Sequence, residues 1–285
     1  PISKEVNLTV ESSPLIVVKM PVYCEDIFYG STETISVYLS KDVYGLLTVD
    51  VNGIIQETSV GTYWIMSADT GNWRYDFYFK DLEAGIYDVT VTYGGNNHYA
   101  SVINTTSFEV KKINLNPDDI QIDVINNTPG NVTLNITVPK DVTGDIAVTV
   151  GNDTYPGTIE NGSAIIKLPT APIGNSTINI TYSGDGNYEP TTKQENITVD
   201  KYHLNVDDIK TEVLNNTCGN TTVKITVPEN VTGNITINVN GKDYNGTIDN
   251  GSAIVKLPDV RAGNHTMTIT YSGNEDYNSK TITED

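Results

Sequence analysis

Blocks of this chain return at a fixed distance of 89 residues, and that distance restricts the fold more than any single motif. Val138-Pro139-Lys140-Asp141-Val142-Thr143-Gly144 comes back as Val227-Pro228-Glu229-Asn230-Val231-Thr232-Gly233. Asn161-Gly162-Ser163-Ala164 comes back as Asn250-Gly251-Ser252-Ala253, and Tyr182-Ser183-Gly184 as Tyr271-Ser272-Gly273. One period upstream stands Tyr93-Gly94-Gly95. A repeat this long is a whole domain, not one turn of a solenoid. The 285 residues thus divide into three domains, each large enough to bury its own core.

The boundaries fall at 1–112, 113–200 and 201–285. The second and third repeats open alike, with Asn114-Leu115-Asn116-Pro117-Asp118-Asp119 against His203-Leu204-Asn205-Val206-Asp207-Asp208. Asp285 aligns with Asn196, so the strand Ile197-Thr198-Val199 has no counterpart, and the third repeat is expected to be truncated at its last strand. With no initiator Met, signal or anchor, the chain reads as a piece of a longer protein. The first repeat diverges. Lys41-Asp42-Val43 matches Lys140-Asp141-Val142 at 99 residues, yet the tyrosine turn matches at 89, so about ten residues are inserted between Asn52 and Leu82. It also holds both tryptophans and all four phenylalanines, which makes it a possible head.

Local patterning is that of strands. Val132, Leu134, Ile136 and Val138 alternate with Thr133, Asn135 and Thr137, and Ile146, Val148 and Val150 follow the same period of two. Gly151-Asn152 and Asn240-Gly241 are hairpin dipeptides. No stretch sustains a 3.6-residue period. Seven or so short strands per repeat predict an all-β chain of tandem immunoglobulin-like sandwiches. The junctions Glu109-Val110-Lys111-Lys112-Ile113 and Val199-Asp200-Lys201-Tyr202-His203 lack Gly, Pro and Ser, so the sandwiches are expected to form an extended, monomeric rod.

Net charge is −19 with a pI near 4.3. Phosphate binding needs clustered Lys and Arg, so nucleic acid is excluded as a partner, and anionic membrane surfaces with it. No apolar run approaches the roughly 20 residues of a membrane helix, so no direct insertion is expected. Cys24 and Cys218 lie in different repeats, which predicts no disulfide.

A further set of residues carries a resemblance. Leu168-Pro169, Gly174, Tyr182, Gly184 and Tyr188, and again Leu257-Pro258, Gly263, Tyr271, Gly273 and Tyr277, resemble the motif of the bacterial immunoglobulin-like domain of group 3. Tyr93, Gly95 and Tyr99 continue it in the first repeat, where the Leu-Pro is absent. The Asn- and Thr-rich tandem form is similar to adhesin-like surface proteins of methanogenic archaea. Leu82-Glu83-Ala84-Gly85-Ile86-Tyr87 resembles the tyrosine corner of immunoglobulin domains.

Three constellations are candidate sites. Seventeen Asn-x-Ser/Thr sequons are present, and four pairs recur in register: Asn126 and Asn215, Asn131 and Asn220, Asn161 and Asn250, Asn175 and Asn264. Strand alternation alone spells some sequons, but Asn is a poor strand former, so these eight are candidate glycosylation sites. Asp118, Asp119, Asp207 and Asp208 sit just after the junctions. They are the candidate calcium ligands, although solvated linker charge explains them more simply and no cofactor is otherwise expected. In Trp73-Arg74-Tyr75-Asp76-Phe77-Tyr78-Phe79, alternation turns the four odd-numbered aromatics inward and leaves Arg74, Asp76 and Tyr78 outside. Arg74 and Tyr78, with Tyr63 and Trp64 of the insertion, are the candidate ligand contacts. His98, His203 and His265 fall in different repeats and form no catalytic arrangement, so no enzyme activity is expected. The resulting expectation is an extracellular, cell-surface adhesin-like fragment whose partner is a protein or carbohydrate on another cell or surface. A structural stalk or surface-layer spacer with no ligand of its own is the alternative.

Overall fold

The structure, a computed structural model, describes residues 14–61, 65–66 and 72–284. Among these residues every regular element is a strand, apart from two three-residue 3-10 turns, Pro117–Asp119 and Val206–Asp208. The chain packs as two compact units: 1–115 together with 183–191, and 116–182 together with 192–285.

The first unit holds one sandwich. A four-stranded sheet runs Val22–Tyr23, Glu33–Ser40, Asn72–Phe79, Ile65–Met66, and a five-stranded sheet runs Ile27–Phe28, Val102–Lys111, Gly85–Tyr93, Gly45–Val51, Ile54–Val60. Alternation decides the facing. Ile35, Val37 and Leu39 from one sheet and Leu47, Val49, Val51, Val89 and Val91 from the other are at most 1% exposed and meet in one core. Tyr75, Phe77 and Phe79 turn into it as the period of two predicts, each side chain contributing about 1.5–3 kcal/mol by leaving water. Trp73 is half-buried and its indole N–H donates to the Lys41 carbonyl. The strand Ile65–Met66 comes from the inserted region and adds to the edge of Asn72–Phe79. Tyr87 donates its hydroxyl to the Glu83 carbonyl at 3.0 Å and stacks on Phe108, the geometry of a tyrosine corner.

The second unit holds the same seven-strand plan twice. In the second repeat, Gln121–Asn126, Val132–Thr137 and Ser163–Leu168 form one sheet; Asp153–Thr158, Asp145–Val150, Gly174–Tyr182 and Thr191–Val199 form the other. The third repeat copies it with Lys210–Asn215, Thr221–Thr226 and Ser252–Leu257 on Lys242–Ile248, Gly233–Val239, Met267–Tyr271 and Lys280–Glu284. Even the bulge is copied, between Val124 and Asn126 and between Val213 and Asn215. Asn240-Gly241 makes the expected two-residue hairpin with both φ values positive, as a type I′ turn requires.

The tyrosine motif has the same physical content three times. Tyr93, Tyr182 and Tyr271 are fully buried, and the hydroxyls of Tyr93 and Tyr271 donate to the carbonyls of Tyr44 and Thr232. Two residues later Gly95, Gly184 and Gly273 have φ near +80°, and a Cβ at any of them would fall within 2.9 Å of backbone atoms. The next side chain, Asn96, Asp185 or Asn274, accepts two backbone N–H bonds at 2.7–2.9 Å and closes the turn. The final tyrosine then pairs in parallel with the strand that enters its repeat: Tyr99 with Ile16, Tyr188 with Ile113, Tyr277 with Tyr202.

Candidate functional site

The outer face of the four-stranded sheet in the first unit differs from every other sheet face described. Cross-strand pairing sets Thr34 against Tyr78, Ser36 against Asp76 and Tyr38 against Arg74, while Tyr23 on the edge strand lies against Ser36. All these side chains point away from the core, because their neighbours Ile35, Val37, Tyr75 and Phe77 fill it. Tyr23 is 61% exposed and Tyr78 55% exposed. Tyr23 meets Tyr38 edge-to-face with ring centroids 5.5 Å apart.

At the centre of this face Arg74 is held in place. Its Nη2 lies 2.8 Å from Asp76 Oδ2, and the Ser36 hydroxyl donates to the other carboxylate oxygen at 2.7 Å. The Asp76 charge, then the hydrogen bond to Tyr38, push the guanidinium pKa still higher. A guanidinium fixed this way loses little rotamer freedom on meeting a partner. Its cross-strand neighbour Tyr38 is half-buried and the exposed rings of Tyr23 and Tyr78 stand farther along the same face, which can receive a carboxylate, a sugar ring or a second aromatic surface. In the second repeat the positions of Arg74, Asp76 and Tyr78 hold Ser163, Ile165 and Lys167, so the face is not part of the repeat plan.

Arg74 and Tyr78 therefore share one face, as alternation placed them, four residues apart along the strand. Tyr23 and Tyr38 belong to the same face and were not singled out from sequence. The pattern Ser36-Val37-Tyr38 already sent Tyr38 outward; Tyr23 carried no signal, since its strand is two residues long. Tyr63 and Trp64 lie outside the described residues.

Of the sequon residues, Asn131, Asn161, Asn175, Asn220, Asn250 and Asn264 are exposed, and Asn126 and Asn215 are half-buried. The last two turn their side-chain oxygens onto the N–H of Thr128 and Thr217 at 2.8 Å, the same local turn in both repeats. Asn161 and Asn250 occupy left-handed turn positions with φ of 52° and 45°.

The acidic doublets close short 3-10 turns that open on Pro117 and Val206. Asn116 Oδ1 accepts from the Asp118 N–H, and Asp208 accepts from the Asn205 N–H at 2.7 Å. Among the described residues no three His, Cys, Asp or Glu side chains, those of Asp118, Asp119, Asp207 and Asp208 included, converge to hold a metal ion. The three histidines stay apart: His98 contacts Tyr44, His203 Asn278, and His265 Asn240. Both cysteines are free thiols in the structure. No helix among the described residues is long and apolar enough to cross a membrane.

No family model matches the chain. It is similar to solved structures at low identity. A set of titin domains shares 12% identity over 93% of this chain and 97% of that one, with a TM-score of 0.37. The Escherichia coli adhesin FdeC shares 14% over 96% and 99%, with a TM-score of 0.32. Chicken CNTN1 FN1-FN3 domains share 10% over 92% and 96%, with a TM-score of 0.27. The all-β class rests on the strands and their pairing in this chain itself.

Proposed function

We propose that this chain is a non-catalytic, adhesin-like fragment of a cell-surface protein, with the first repeat as its binding head. The observation that carries the reading is the Tyr23, Tyr38, Arg74 and Tyr78 face, an exposed aromatic and guanidinium surface in one repeat with no equivalent in the other two. Its partner is a protein or carbohydrate on another cell or surface, and the net charge of −19 disfavours nucleic acid. The likeness to group 3 domains and to methanogen surface proteins, the glycosylation of the exposed sequons and an end-to-end rod belong to this proposal. Solution scattering tests the rod, which requires a maximum dimension near three domain lengths.

The binding test uses the full chain against host glycans and whole cells, beside the single variants Tyr78→Ala and Arg74→Ala. Tyr78 is exposed, so its substitution leaves folding within about 0.5 kcal/mol; Arg74 is half-buried against Asp76, so circular dichroism and a melting curve of its variant confirm the fold before lost binding is read as a property of the face. Expected is a loss of tenfold or more in either variant, as truncating an aromatic or arginine anchor produces. Binding that survives both substitutions removes the head from this face. Absence of binding by the unaltered chain in every screen favours a stalk or surface-layer spacer.

A further inference from the structure

The turn after the buried tyrosine keeps one backbone in all three repeats and changes one side chain. His98, Asn187 and Asp276 stand at the same position, 89 residues apart. In each case the main-chain N–H donates to the side chain two residues before, Asn96, Asp185 or Asn274, at 2.7–2.9 Å. The main-chain carbonyl accepts from the incoming strand, through the N–H of Ile16, Ile113 or Tyr202, at 2.8–3.0 Å. The turn therefore closes without the side chain of this residue, which is left to recognise something else.

Asn187 does so. It is 9% exposed and, with Glu33, one of two buried polar or charged side chains among the described residues. Its Oδ1 accepts from the Ala84 N–H at 2.8 Å, and its Nδ2 donates to the Glu83 carboxylate. Glu83 and Ala84 lie 104 and 103 residues earlier in the chain, and all three residues belong to the first unit. Glu83 is itself held, since its carbonyl accepts the Tyr87 hydroxyl of the tyrosine corner at 3.0 Å. Beside this contact Tyr29 meets Tyr188 edge-to-face, with ring centroids 5.7 Å apart. Burial of an amide is tolerated when both its ends are paired, as they are here.

The other two repeats use the position differently. His98 bonds to Tyr44 of its own repeat at 3.0 Å. Asp276 is exposed. One period after Glu83 and Ala84 stand Pro172 and Ile173, which offer no carboxylate. Among the described residues the Asp276 carboxylate and the Ile173 N–H make no hydrogen bond.

We propose that the side chain at this position decides whether the turn docks on the preceding repeat, and that Glu83 and Asn187 are the recognising pair that docks it. The pair is selective. An amide offers Glu83 a donor and Ala84 an acceptor at once, whereas an aspartate, the residue of the third repeat, sets two carboxylates against each other.

Hydrogen exchange of the full chain, read amide by amide by NMR, tests this. In the parent the Ala84 N–H should exchange slowly and the Ile173 N–H fast. Asn187→Asp should speed Ala84 exchange about tenfold or more, the size of a lost hydrogen bond to a charged group. Ile113, whose N–H donates to the Asn187 carbonyl, should stay slow and show that the turn itself is intact. A glutamine at 83 can donate to an aspartate at 187, so the double variant Glu83→Gln, Asn187→Asp should return Ala84 exchange to within about twofold of the parent. An Ala84 N–H as fast as that of Ile173 in the parent overturns the proposal. So does an Asn187→Asp variant with unchanged Ala84 exchange, or one whose acceleration is the same with and without Glu83→Gln. Where Ile113 exchange rises together with Ala84 in the single variant, the double variant still decides: rescue of both supports the pair, and rescue of neither overturns it.

Discussion

Gly273→Ala should destabilise the second unit by far more than Gly241→Ala, although both glycines have φ near +80°. At Gly241 an added Cβ meets nothing within 4 Å, so only backbone strain counts. That strain is roughly 1–2 kcal/mol for an L residue, offset by about 0.4–1 kcal/mol from the stiffer unfolded chain, leaving about 1 kcal/mol. At Gly273 the same strain applies, but the Cβ would sit 2.9 Å from both Ser279 N and Tyr277 O. These are backbone atoms of the turn, so the turn itself must move. It is closed by the two N–H bonds that Asn274 accepts from Asp276 and Tyr277, each contributing about 0.5–1.5 kcal/mol. The total at Gly273 is about 3 kcal/mol. For a domain of this size 1 kcal/mol moves the midpoint by roughly 4–8 °C, so the two variants should melt about 10 °C or more apart. Calorimetry of the full chain, with hydrogen exchange at Ile269 identifying the transition, reads the difference. Midpoints within a few degrees of each other would refute the claim that backbone crowding, and not φ alone, demands glycine in this motif.

Phe77→Ala should cost about 3–5 kcal/mol in denaturant unfolding while Tyr78→Ala, one residue on, stays within about 0.5 kcal/mol, because the two lie on opposite faces of one strand. Tyr87→Phe should cost about 1 kcal/mol by removing the hydroxyl bond to the Glu83 carbonyl, with the stacking on Phe108 kept. Burial pushes the Glu33 carboxyl above its ordinary pKa, against the opposing effect of the N–H bonds it accepts from Glu25 and Thr34. Its contribution to stability is thus fully present below the unfolded-state pKa and is lost as pH rises through the folded value. Glu33→Gln keeps an acceptor oxygen, so thermal midpoints of variant and parent should coincide in acid and separate toward neutral pH, the variant being higher; a variant less stable at neutral pH would reverse the assignment.

Inward residues were legible wherever a strand was long enough to show its period. Ile35, Val37 and Leu39, and likewise Val132, Leu134 and Ile136, could be placed by counting in twos, because one buried face leaves a single workable register. The hairpin Asn240-Gly241 and the tyrosine corner at Tyr87 were legible because their chemistry is local. What escaped was chosen by distant pairing. Tyr23 joins the candidate face only through its pairing with Ser36 on another strand, and nothing within a few residues of it says so. Glu33 is the reverse case: period two sends it inward with Ile35, yet its charge argues for solvent, and burial prevailed at a cost in pKa. The pairing of Tyr188 and Tyr277 with incoming strands was hidden too, since parallel partners 75 residues apart leave no shared pattern.

The parallel pairing of Ile27–Phe28 with Val110–Lys111, extended by the Tyr29 N–H on the Lys111 carbonyl, bears on how the first sandwich responds to tension. Pulling the chain toward its two ends draws these strands past each other along their own length. Every hydrogen bond between them is then loaded at once, whereas an antiparallel pair joined by a hairpin opens one bond at a time from its free end. Under the proposed adhesive role, load along the chain would act in this direction. Along the pulled chain the pairings of Ile16 with Tyr99 and of Val22–Tyr23 with Glu33–Ser40 come first, and the short parallel pair bears the load once those have parted.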